Sequence, residues 1–154
     1  MKKGFTFLEA VLALSILSII VVIGSGSLFA NRRIQTELDS NVSVISDMLR
    51  RAQNNAITGE GFVAWGVHFD NGSEDFYQMF SGADWTDGTR HEQFTLASGL
   101  VFEVPTEGAN AEILFDLRSG KRISATDNII IRSSVKPDLK KTISVSGEGK
   151  VSSD

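Results

Sequence analysis

The sequence predicts an α+β protein, with one long N-terminal helix packed on an antiparallel, β-rich C-terminal domain. Three observations carry that expectation. Residues 10–30 hold no charged side chain, and a run of about 20 apolar residues is what a helix needs to span a bilayer. Beyond the run, Ile34, Leu38, Val42, Ile45, Leu49, Ala52 and Ala56 recur at helical spacing. From Phe62 the period changes to two: Val63, Trp65, Val67 and Phe69 alternate with Ala64, Gly66 and His68.

The helix is expected over residues 5–58, with its first half transmembrane and its second half amphipathic. Gln35, Glu37, Asp39, Asp47, Arg50, Arg51 and Asn54 occupy the face opposite the apolar stripe, so the stripe should lie on a sheet. Asp47 and Arg51 stand one turn apart and are expected to pair weakly. Gly59 is a suitable stop. Asp70-Asn71-Gly72 then signals a turn between a strand at 62–69 and one at 76–80, a hairpin. A polar loop holding Trp85 is expected over 81–92. Further short strands are expected near 94–96, 100–104, 113–116, 128–133 and 142–145. Glycines at 99, 108, 120, 147 and 149 mark the turns between them.

The chain has 154 residues, 42% hydrophobic and 22% charged, with a net charge of −4 and no cysteine. Disulfides, thiolate nucleophiles and zinc–thiolate sites are thereby excluded. The acidic balance argues against nucleic acid as a partner, since phosphate binding needs clustered Lys and Arg. With the apolar segment set aside, roughly 100 residues are left, enough for one modest core.

The start of the chain, Met1-Lys2-Lys3-Gly4-Phe5-Thr6-Phe7-Leu8-Glu9, is the most informative stretch. A secretory signal peptide needs a basic start, a short apolar region and a small-residue cleavage site. Ser25-Gly26-Ser27 imitates such a site, but the apolar run is too long and Glu9 stands at its beginning. A plain anchor with Lys2 and Lys3 in the cytoplasm obeys the positive-inside rule and leaves Glu9 unexplained. A carboxylate at the edge of a membrane helix is costly unless paired. Cutting the chain between Gly4 and Phe5 would create a positive amine close to Glu9. In an array of such helices, the amine of one subunit would meet Glu9 of the next, a charge match that sets register in low dielectric.

This leader resembles the class III leader of type IV prepilins and type II secretion pseudopilins: a basic start ending in Gly, then Phe, then Glu at the fifth place after the cut. The resemblance implies cleavage between Gly4 and Phe5, N-methylation of Phe5, and Glu9 as the assembly carboxylate. It also implies four segments: a leader at 1–4, a transmembrane and assembly helix at 5–30, an amphipathic helix at 31–59 and a β-rich globular domain at 60–154. A prepilin peptidase, sister subunits, an inner-membrane assembly platform and membrane lipid would be the partners. The product would be a single-pass inner-membrane protein whose C-terminal domain lies outside the cytoplasm, drawn into an extracytoplasmic filament. Without Lys2 and Lys3 it carries 13 basic against 19 acidic side chains. One departure concerns the helix. Many major pilins carry a proline in its second half, whereas this chain has none before Pro105, and Gly24 and Gly26 are its weak points.

The segment 48–57 with Gly59, then Ile113-Leu114-Phe115-Asp116, Gly120, Ile129-Ile130-Ile131, and the terminal Ile143-Ser144-Val145 with Gly147 and Val151 resemble the H-type minor pseudopilins and the fimbrial T-type minor pilins. A minor structural subunit is therefore expected, with a major subunit or a DNA-uptake minor pilin as alternatives. Neither His68 nor His91 has metal-ligand company in sequence. No nucleophile elbow or phosphate loop is present, so neither enzyme activity nor a cofactor is expected. Two oxygen-rich stretches, Asp70 to Asp75 and Asp84, Asp87 with Glu92, lack the spacing of a calcium loop. The cations most open to DNA (Arg118, Lys121, Arg122, Lys136, Lys140 and Lys141) are interrupted by Asp138 and lack interleaved aromatics.

Overall fold

The structure, a computed structural model, describes residues 7–154, and for residues 20–31 only the backbone. Helix α1 runs Phe7–Thr58. Its contacts divide the chain into two compact units, one ending at Gln35 and the other spanning Thr36–Asp154. Among the described residues no helix is long and apolar enough to cross a membrane. Half of the span expected at 5–30 falls on residues 5–6 and on the side chains of 20–30, outside the described residues.

In the second unit α1 buries one stripe. Leu38, Val42, Ile45, Leu49, Ala52 and Ala56 are buried as the spacing predicts, joined by Met48. Gly59 ends the helix in the left-handed region at φ 75°, its amide bonded to the Ala56 carbonyl at 3.1 Å. Such a residue closes many helices because glycine carries no Cβ penalty there. The chain then makes a tight turn over Glu60–Phe62. The first strand therefore starts at Trp65 instead of Phe62. The Trp65 indole donates to the Glu60 carbonyl at 2.9 Å and holds the turn against the strand.

Eight strands follow: β1 Trp65–Asn71, β2 Asp75–Ser81, β3 Thr89–Thr95, β4 Leu100–Val104, β5 Asn110–Phe115, β6 Asn128–Ser133, β7 Lys140–Val145 and β8 Val151–Ser153. Among the described residues they form two four-stranded sheets, β3-β2-β1-β5 and β4-β6-β7-β8. Every pairing is antiparallel. The β1–β2 hairpin closes at Asn71↔Asp75, around the expected turn. The expected 81–92 loop is shorter than predicted, since β3 begins at Thr89. Its register against β2 shifts between Gln78 and Phe80, a bulge that the polar composition of β3 concealed.

Side chains from α1 and both sheets share one core. Val67, Phe69, Tyr77, Ile113 and Phe115 come from the first sheet, and Phe102, Ile129, Ile131, Ile143 and Val145 from the second. Burial pushes the Tyr77 phenol up to about 12. Polar contacts tie the helix to the sheets. The Gln53 amide donates to the Gly120 carbonyl at 3.0 Å, and the Arg118 amide to the Ala56 carbonyl at 2.8 Å. The expected Asp47–Arg51 pair is replaced. Asp47 pairs with Arg50 at 3.2 Å, while Arg51 reaches across to Glu92 on β3 at 2.8 Å, which a reading confined to the helix could not find.

Candidate assembly surface

Glu9 lies exposed in the first turn of α1, where a carboxylate favours the positive end of the helix dipole. Gly4 and Phe5 lie outside the described residues. Over residues 7–19 the helix exposes apolar side chains on several sides: Leu8, Val11, Leu12, Leu14, Ile16, Leu17 and Ile19 are exposed, and Phe7 is 87% exposed. Covering such side chains is worth about 1.5–3 kcal/mol each, so this segment gains strongly from any apolar cover. The two serines in it, Ser15 and Ser18, donate back to the Val11 and Leu14 carbonyls at 2.8 Å. Their hydroxyls are thereby satisfied without water.

The globular unit presents other features. Phe62 is 78% exposed with φ 58°, and Ile57 and Val63 are exposed as well. Along α1 a shallow groove of about 550 Å³ is lined by Val44, Asp47, Arg50, Arg51 and Asn54. A cleft of about 430 Å³ is lined in part by Asn71, Asp75, Glu103, Glu107 and Arg132. The Asn71 amide donates to the Phe102 and Pro105 carbonyls at 3.1 and 2.6 Å, joining the end of β1 to β4 and the residue after it. Burial, with the nearby Asp70 and Glu107 charges, holds the Asp75 carboxyl above the usual range.

Both histidines differ from expectation. His68 was expected on a solvent-facing strand position; it is only 1% exposed. The Trp85 ring stacks on it at 4.0 Å, with planes 7° apart, so the 82–88 loop covers that face of the sheet. His91, expected in a loop, lies on β3 and stacks on Trp65 at 4.6 Å. The candidate DNA-contacting cations are largely engaged within the fold. Lys121 meets Glu148 at 2.9 Å, Lys140 meets Glu103 at 3.0 Å and Lys141 meets Asp39 at 3.4 Å. Arg122 donates to the Ser124 and Thr126 carbonyls. No group of three or more His, Cys, Asp or Glu able to hold a metal ion occurs among the described residues.

By sequence, no family model and no curated protein matches the chain. By fold, it is similar to the minor pseudopilin EpsH from the type 2 secretion system of Vibrio cholerae. The TM-score is 0.56 at 18% identity, over 77% of this chain and 96% of EpsH. It is likewise similar to the type IV minor pilin FimU of Pseudomonas aeruginosa in two crystal forms. One gives a TM-score of 0.58 at 18% identity over 82% of this chain and 92% of FimU. The other gives 0.55 at 17% identity over 76% and 92%. The chain thus has a pilin-like fold, with a helix packed on two antiparallel sheets as in minor pilin and minor pseudopilin structures.

Proposed function

We propose that this protein is a structural, minor subunit of a type IV pilus or type II secretion pseudopilus, assembled through its N-terminal helix. The observation that carries the reading is the apolar, exposed segment at 7–19, which opens the helix that runs into the pilin-like domain. A prepilin peptidase cuts between Gly4 and Phe5 and methylates Phe5. The helix waits in the inner membrane, surrounded by lipid, with the globular domain outside the cytoplasm. It is then transferred, at the assembly platform, from lipid to sister helices in an extracytoplasmic filament. The apolar surface is covered in both places, so transfer costs little hydrophobic energy. The Glu9 carboxylate, matched to the amine of a neighbouring Phe5, decides which axial register is accepted. The chain performs no catalysis in this scheme.

Replacing Glu9 in the native system tests the assignment. Glu9→Ala removes the match and Glu9→Lys inverts it, and both should leave the subunit in the membrane fraction and absent from sheared filaments. Normal incorporation of both would refute the role. Gly4→Leu should leave the precursor uncut, so a mature mass beginning at Phe5 would contradict the processing step.

A further inference from the structure

We propose that the 82–88 loop is a pH-gated cover on the first sheet, closed while His68 is neutral and released when His68 takes up a proton. The proposal is independent of the filament reading. The loop is fastened by one large apolar side chain. Between Gly82 and Gly88 it holds Ala83, Asp84, Trp85, Thr86 and Asp87, and of these only Trp85 inserts among aromatic rings. It stacks on His68 at 4.0 Å and meets Phe80 edge-on at 5.7 Å. The two glycines form the neck of the loop. A Cβ on Gly82 would stand 2.9 Å from the Gly88 Cα, and one on Gly88 would stand 2.6 Å from the Asp84 carbonyl oxygen.

The charge around His68 decides the effect of a proton. On β5, Glu112 Oε1 lies 3.4 Å from Nδ1. On β1 itself, Asp70 Oδ2 lies 3.9 Å from Nε2. Both are longer than the 2.7–2.9 Å of a well-formed charge-assisted bond. On β3, Arg90 holds its guanidinium carbon 4.6 Å from the centre of the Trp85 ring, so an imidazolium would become a second cation at one indole. From β2 come the uncharged Phe76, 6.1 Å from the His68 ring, and Gln78, which faces His68 in the β1–β2 register and donates to the His91 carbonyl. Within the loop, the Asp84 carboxylate accepts the Asp87 amide at 3.0 Å, and Asp87 supplies the other charge.

Burial is the largest influence and lowers the His68 pKa. Glu112 and Asp70 oppose the shift, and Arg90 adds to it. The closed form therefore binds a proton less readily than an open form in which the ring is hydrated. His68 thus contributes its full preference for closure above the ordinary histidine value of 6.5, and that contribution is lost as the pH falls through the lowered value. Opening frees Trp85 and uncovers Phe80 and His68, presenting aromatic surface only under acid conditions.

The chain has two tryptophans, Trp65 and Trp85. The full chain in detergent micelles, labelled with 5-fluorotryptophan, should give two fluorine resonances, assigned with Trp85→Phe. Between pH 8 and pH 4.5 the Trp85 resonance should move to the solvent-exposed position with a midpoint below 6.5. In His68→Gln it should not move through that window. Glu112→Gln and Asp70→Asn each remove a carboxylate that favours the protonated ring in the closed form, so each should make release at acid pH more complete, a change that decides the matter even if His68→Gln fails to fold. A Trp85 resonance that stays still, a transition surviving unchanged in His68→Gln, or an extent of release indifferent to both carboxylates would overturn the proposal.

Discussion

Gly149→Ala should weaken the helix-to-sheet attachment more than Gly108→Ala or Gly147→Ala destabilises the fold. Gly149 has φ 87°, a conformation that costs an L-residue roughly 1–2 kcal/mol. A Cβ there would also collide with the Gly120 carbonyl oxygen and the Gln53 amide nitrogen. These two atoms form the 3.0 Å bond that ties α1 to the turn after β5. Neither can retreat easily: one is backbone and the other is fixed by its bond to it. Losing that bond adds about 0.5–1.5 kcal/mol, for a total of about 1.5–3.5 kcal/mol. Two other glycines separate strain from collision. Gly108 has φ 76° but nothing within 4 Å of a new Cβ, so Gly108→Ala should cost only the strain, about 1–2 kcal/mol. Gly147 has neither positive φ nor a close neighbour, and alanine there should be neutral or stabilising by up to about 1 kcal/mol. Urea unfolding of the full chain in micelles, followed by near-ultraviolet circular dichroism, measures all three. If Gly149→Ala costs no more than Gly108→Ala, the argument from the Gln53–Gly120–Gly149 contact is wrong.

Two further substitutions probe the cleft. Asn71→Ala should destabilise the globular unit by about 2–4 kcal/mol, because it strips the amide from the Phe102 and Pro105 carbonyls; the same urea titration reads it. Asp75→Asn should stabilise the unit at neutral pH. The raised Asp75 pKa means that the folded form resists ionisation, so the wild type loses stability as the pH rises through the carboxylate range. The gap between variant and wild type should close at acid pH, and a gap that widens there would contradict the assignment.

Much of the fold was legible in the sequence. The expected strands at 100–104 and 128–133 coincide with β4 and β6, and the helix ends at Thr58 before Gly59 as expected. The helical stripe from Leu38 to Ala56 is buried residue for residue, although Ile34 is only half-buried. Periodicity succeeds in these places because each element has one face on the core, and that face must be apolar. It fails at β3, whose seven residues are all exposed and carry no alternation. It fails also at His68, where both faces of the sheet are covered and a polar ring stands in a buried place.

For this protein the sequence by itself determined the order of the elements, the helix face that meets the core and the turns where glycine is required, since these follow from local backbone preference and the period of apolar residues. Tertiary structure alone decided which strands share a sheet, that Arg51 pairs with Glu92 instead of Asp47, and that Trp85 closes over His68. Those choices join residues far apart in the chain. Their energies come from packing and charge in three dimensions, which composition and spacing do not encode.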